Sequence, residues 1–238
     1  MSMPLTLTPR PDGDALTWDA PAPAARLFPV SGGWRYQRDG QEPSPVLPPD
    51  APARLRWEVR LGAGVVVAHL DLPVLLVTGG RVERWLALPY GLALVLDAEG
   101  PTLDEVRPAL RRTLLGSPAR GVVLPCVSAT TLSGPDDPAL PAGCYAARVR
   151  VENRADEAAV LRRVPVHEPS LTLWASGHRV AAGDMVVSLS RDDSAEARAS
   201  VAQAPPGFTQ VAGPSGPWEG LGLAWLHDST RRGLEFHP

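Results

Sequence analysis

Between residues 54 and 190 short apolar runs follow one another with almost no helical punctuation, and no other feature narrows the possible folds as much. Leu55, Trp57, Val59 and Leu61 alternate with Arg54, Arg56, Glu58 and Arg60, the period-two pattern of a half-buried strand. Runs at 65–70, 74–77, 82–88 and 92–96 follow, separated by Gly62, Pro73, Gly79-Gly80 and Pro89-Tyr90-Gly91. Further runs occupy 122–128, 144–152, 158–166, 171–174 and 185–189. Strands at this spacing predict an all-β fold of sandwich or barrel type. The expectation is two sandwich-like halves, immunoglobulin-like or jelly-roll, at residues 1–110 and 111–238, which could also form one two-lobed domain. The chain is long enough to bury a core without covalent staples. One short helix is expected at 102–108, because Thr102 and Glu105 have the spacing of a capping box and Pro108 would end it.

The 27 prolines and 22 glycines fall mainly between the apolar runs, as turn residues should. Residues 34–38 place Trp34 and Tyr36 two apart ahead of Asp39-Gly40, which predicts a strand. Residues 41–52 hold five prolines and read as a surface connection without a helix. Cys126 and Cys144 are the only cysteines, and their midpoint is Pro135 in a turn-rich stretch. A hairpin folded about that point would set the two thiols opposite each other. The sequence leaves open whether they pair, and a reducing compartment favours two small apolar residues packed together.

Several function classes are excluded. All 23 basic residues are arginine and the formal net charge is −3, so the electrostatic footprint of a nucleic-acid binder is missing. Without lysine there is no Walker-type phosphate loop. Gly62-Ala63-Gly64 lacks the third glycine of a dinucleotide fingerprint, since Val67 stands there. His167-Glu168 is followed at once by Pro169 and cannot be the helical zinc motif. No transmembrane segment or secretory leader is expected, and the expected location is the cytoplasm.

The remaining candidates carry little chemistry. His167, Glu168 and His178 could form a metal site if the strand between them folded them together, although strand-end histidines are the plainer reading. Asp97 and Glu99 share a strand-like spacing suited to acid–base work, but they sit beside Gly100-Pro101, where turns carry solvated charge. Trp57 and Trp85 fit the core, whereas Trp18, Trp34, Trp174 and Trp218 fall near loops, where a sugar could stack. No catalytic residue and no cofactor is assigned. The expected function is a non-catalytic interaction module that binds a protein partner or itself. The alternatives are a jelly-roll-type enzyme or small-ligand binder, and a carbohydrate-binding module.

The segments Leu115-Gly116-Ser117-Pro118-Ala119-Arg120-Gly121-Val122-Val123, Arg148-Val149-Arg150-Val151-Glu152-Asn153 and Arg162-Arg163-Val164-Pro165, with Leu86-Ala87-Leu88-Pro89 ahead of them, together resemble an uncharacterised family of archaea and some bacteria, the domain of unknown function numbered four hundred and thirty-two. The resemblance covers roughly residues 55–190. It implies no activity, substrate or cofactor. Many members carry an arginine and an aromatic where Leu124-Pro125-Cys126 stands here, so any role of those polar residues is not carried over. Some members are encoded near small mechanosensitive channels, which implies association with a membrane protein that this sequence does not itself support. Tyr90, Arg112 and Arg120 flank the best-matching turns and are the candidate surface-binding residues.

Overall fold

The computed structural model describes residues 2–5, 9–18, 22–62, 64–97, 100–115, 122–189, 195–199 and 203–213. In chain order the strands begin with β1 (Ser2–Leu5), β2 (Arg10–Asp12), β3 (Ala15–Thr17), β4 (Ala25–Val30) and β5 (Gly33–Arg38). A one-turn helix, α1 (Ala51–Arg54), leads into β6 (Leu55–Arg60), β7 (Val65–Leu76), β8 (Arg81–Pro89), β9 (Gly91–Leu96) and β10 (Thr102–Val106). Then come β11 (Arg111–Leu115), β12 (Val122–Leu132), β13 (Cys144–Asn153), β14 (Ala159–His167), β15 (Thr172–Ser176), β16 (Arg179–Leu189), β17 (Ala195–Ala199) and β18 (Thr209–Ala212). The fold is all-β and sandwich-like, as the alternating runs require. No helix among the described residues is long and apolar enough to cross a membrane.

The chain forms two compact units, and the division is not the contiguous one expected. One unit joins Ser2–Leu61 to Pro89–Pro108; the other joins Gly62–Leu88 to the described residues from Ala109 onward. Residues 62–88 go to the later unit because β7 and β8 find their ladder partners there, and such long-range pairing leaves no local mark in sequence.

In the first unit β2-β3-β4-β5 form one sheet and β1-β6-β9-β10 another. Trp18 and Tyr36 each meet Trp57 edge to face and each other at a tilt, with ring centroids 6.2–6.4 Å apart, and all three are buried. Removing a buried aromatic of this kind costs about 3–5 kcal/mol. The helix expected at 102–108 is instead β10. Its backbone pairs with β9 from Thr102↔Val95 to Val106↔Leu92, so these residues take an extended ladder conformation in place of a capped helix start, and the Asp104 carboxylate accepts the Tyr36 hydroxyl at 2.7 Å. α1 corrects the expectation of no helix in the proline-rich stretch. Its proline occupies the first turn, where a missing N–H costs nothing. Glu58, expected on the solvated side of β6, is buried and gripped by Arg56 at 2.8 Å and Arg60 at 3.0 Å.

In the second unit the main sheet runs β14-β7-β12-β8-β13-β16-β15-β18, with β11 added on β12 and β17 on β16. β12 is the pivot. It pairs parallel with β7 through Ala129↔Leu70, then antiparallel with β8 from Thr130↔Ala87. β8 therefore lies between β12 and β13, and the hairpin that would have set Cys126 against Cys144 does not form. Both thiols are unbonded; Cys144 packs against the cluster of Ala87, Leu132 and Ala146. β13 pairs with β16 and β14 with β7, so these two consecutive strands do not form a hairpin. Pro73 does not divide two strands either. It lies inside β7, where residues 70–73 bulge outward opposite Arg162, between Arg163↔His69 and Leu161↔Val74.

Candidate functional site

The three metal candidates are not brought together. His178 is exposed in the turn between β15 and β16, His167 ends β14, and Glu168 points inward. Among the described residues no group of three His, Cys, Asp or Glu side chains is placed to hold a metal ion. The surface candidates differ from one another: Tyr90 is buried in the β8–β9 turn, Arg112 is exposed on β11, and Arg120 lies outside the described residues. Asp97, at φ 71°, is tied to Arg54, which holds its carboxyl below the usual range; Glu99 lies outside the described residues. Trp18 and Trp174 are buried, Trp34 donates its indole N–H to Pro49, and Trp218 lies outside the described residues. None of these carboxylates or indoles forms a catalytic pair or a stacking platform in the described geometry.

Two arrangements that sequence reasoning missed stand out. The first is Glu168, only 3% exposed. β14 ends in a single 3-10 turn, Glu168–Ser170, closed by the Ser170 hydroxyl donating to the His167 carbonyl at 2.9 Å. The turn swings Glu168 into the interior, where Oε1 accepts the Tyr145 hydroxyl at 2.8 Å and Oε2 accepts the Gly62 N–H at 2.6 Å. The Glu168 N–H donates to the Gly64 carbonyl at 3.2 Å. The glycines of the apparent nucleotide motif thus receive a buried carboxyl. Burial raises the Glu168 pKa against the two hydrogen bonds that lower it, and burial beside Glu168 pushes the Tyr145 phenol well above its ordinary value.

The second arrangement is the distal half of β7. After Leu70 this strand loses β12, and no strand among the described residues pairs with its outer edge. Leu72, Leu75 and Val77 are 69%, 66% and 61% exposed, an unusual concentration of large apolar side chains in six residues. Asp71, a charge that could have guarded the edge, is turned aside. Its carboxylate accepts the Thr131 hydroxyl at 2.7 Å and the Thr131 N–H at 3.1 Å. Partial burial opposes its ionisation, but these bonds and the Leu72 N–H outweigh it and keep the carboxyl below its usual range. The far end is fixed by Asn153, the sole asparagine. Its amide donates to the carbonyls of Leu76, Val77 and Glu157, and its oxygen accepts the Ala155 N–H. This stretch is therefore held at both ends while Leu72, Leu75 and Val77 face solvent.

Comparisons of the chain with family profiles, with characterised proteins and with solved structures found no match.

Proposed function

We propose that the protein is a non-catalytic β-rich interaction module whose working surface is the distal half of β7, and that the occupant is a second copy of the chain. The observation that carries this reading is the coincidence of three exposed apolar side chains with an unpaired strand edge. Such an edge is a template for pairing with another chain. A two-fold contact sets the same ridge against itself, which makes an apolar patch self-complementary without further design. Pro73 offers no N–H and interrupts the edge, so backbone pairing concentrates on residues 74–76. Three side chains alone fall short of the roughly 800 Å² per partner of a stable interface. The association is accordingly weak and concentration-dependent.

Sedimentation velocity of the full chain over a concentration series tests this. The expected result is a dimer that grows with concentration and is lost in the double variant Leu72→Glu, Leu75→Glu, with an unchanged melting temperature because both side chains are exposed. A wild-type protein that stays monomeric at every concentration would overturn self-association. A cytoplasmic location belongs to the same proposal. Kinship with the uncharacterised family is proposed on the residues quoted above, of which 116–121 lie outside the described residues. It adds no activity.

A further inference from the structure

We propose that Arg163, His69 and Ser128 form a binding site for a small phosphate-class oxyanion on one face of the sheet made by β14, β7, β12 and β11, with Arg111 at its margin. The inference is independent of the interaction reading. The ladders bring three of these residues into one row: Arg163 on β14 stands opposite His69 on β7, and His69 stands opposite Ser128 on β12. Residues opposite each other in register share a face, so the row spans two strand spacings, roughly 10 Å. Arg111 on β11 stands opposite Cys126, two residues before Ser128. It therefore lies on the same face, where side chains recur at every second residue.

Solvent reaches this row, since Ser128 and Arg111 are exposed and His69 and Arg163 half-buried. Its charge is one-sided. The four strands carry Arg111, Arg112, Arg162 and Arg163, whereas Asp71 is their only acid. Asp71 does not neutralise them, because its carboxylate is held by Thr131, which alternates to the other face of β12 from Ser128. None of the four arginines forms an ion pair with a described residue. His69 is equally uncommitted: Nε2 is buried without a hydrogen-bond partner, an uncommon state for a polar atom, so the ring can turn an N–H outward without breaking a bond. Burial and then Arg163 disfavour its imidazolium, which places the guanidinium close to the ring by a second measure. An oxyanion supplies the missing acceptor and the missing negative charge together. It can take the arginine fork, the imidazole N–H and the serine hydroxyl at once. The row is three residues long, which suits one phosphoryl group rather than a polymer.

The ring resonances of His69 provide a local readout in the full chain, with inorganic phosphate exchanged for chloride at fixed pH and ionic strength. The expected result is a saturable shift. Arg163→Gln should weaken the apparent affinity by about tenfold or more, and Ser128→Ala a few-fold. Arg162→Gln removes the same charge from the bulge, where residue 162 has no partner on β7, and should leave the affinity unchanged. Glycerol phosphate distinguishes the sources of the group: tighter binding than inorganic phosphate assigns the site to a phosphorylated small molecule, and equal or weaker binding to the free ion, either of which upholds the site. A resonance that does not move with either probe, or a shift that Arg163→Gln and Arg162→Gln reduce alike, would overturn it. Ser128→Ala, at an exposed position, keeps the test open if Arg163→Gln does not fold, since an unchanged affinity there would equally count against the row.

Discussion

Asn153→Asp is expected to destabilise the protein by about 3 kcal/mol or more at neutral pH, and by distinctly less near pH 4. The replacement has the same shape, so packing is unchanged and the effect isolates hydrogen-bond polarity. In the wild type the amide nitrogen serves three carbonyl oxygens, of Leu76 at 3.0 Å, Val77 at 3.2 Å and Glu157 at 2.8 Å, while Asn153 is 1% exposed. An aspartate presents a second acceptor to those oxygens. Each buried carbonyl left unsatisfied costs about 1–3 kcal/mol, and the buried negative charge facing them adds to it. Protonation restores one donor, so the folded-state pKa of the new carboxyl is raised and the penalty grows as pH rises through it. Urea midpoints for the wild type, Asn153→Asp and Asn153→Ala at the two pH values decide the matter. If aspartate is no worse than alanine at neutral pH, the donors are not what holds the Val77–Gly80 turn, which also takes the backbone pairs Gly79 to Asn153 and Asn153 to Gly80.

The strands were largely legible because burial on one face leaves a period-two trace, as at Leu55 to Arg60 and Val149 to Glu152. What a strand pairs with leaves no such trace. Cys126 and Cys144 lie symmetrically about Pro135, yet β8 occupies the place between their strands, and a symmetric spacing cannot reveal an intervening strand from elsewhere in the chain. The local signal at Thr102 to Glu105 was sound chemistry for a helix start, but the β9 edge and the Tyr36 hydroxyl offered those residues more than one helical turn could. Glu168 was visible only as half of a failed zinc motif, and Gly62 and Gly64 as half of a failed nucleotide motif. That the two failures complete each other is a matter of 106 residues of separation. The exposed side chains at the end of β7 were hidden by their own hydrophobicity, since Leu75 and Val77 fall in the apolar run 74–77, which reads in sequence as a strand.

Gly62→Ala should cost about 2–3 kcal/mol for a reason that the backbone does not supply. Glycine is commonly retained where φ is positive, but Gly62 is not among the positive-φ glycines, and alanine at a compatible position ordinarily stabilises by about 0.4–1 kcal/mol through the unfolded state. The obstacle is space. A Cβ there would overlap Glu168 Oε2, and moving that oxygen breaks the 2.6 Å bond from the Gly62 N–H inside a buried site. The carboxyl end of a surface glutamate would step aside at little cost; this one is anchored through Oε1 by Tyr145. A double-mutant cycle separates the explanations. Glu168→Ala alone should destabilise by leaving the Tyr145 hydroxyl and the Gly62 amide unpaired. Adding Gly62→Ala to it should cost nothing further or recover a few tenths of a kcal/mol, for a coupling energy of about 2 kcal/mol. Strictly additive losses would mean that Glu168 is not what keeps residue 62 a glycine.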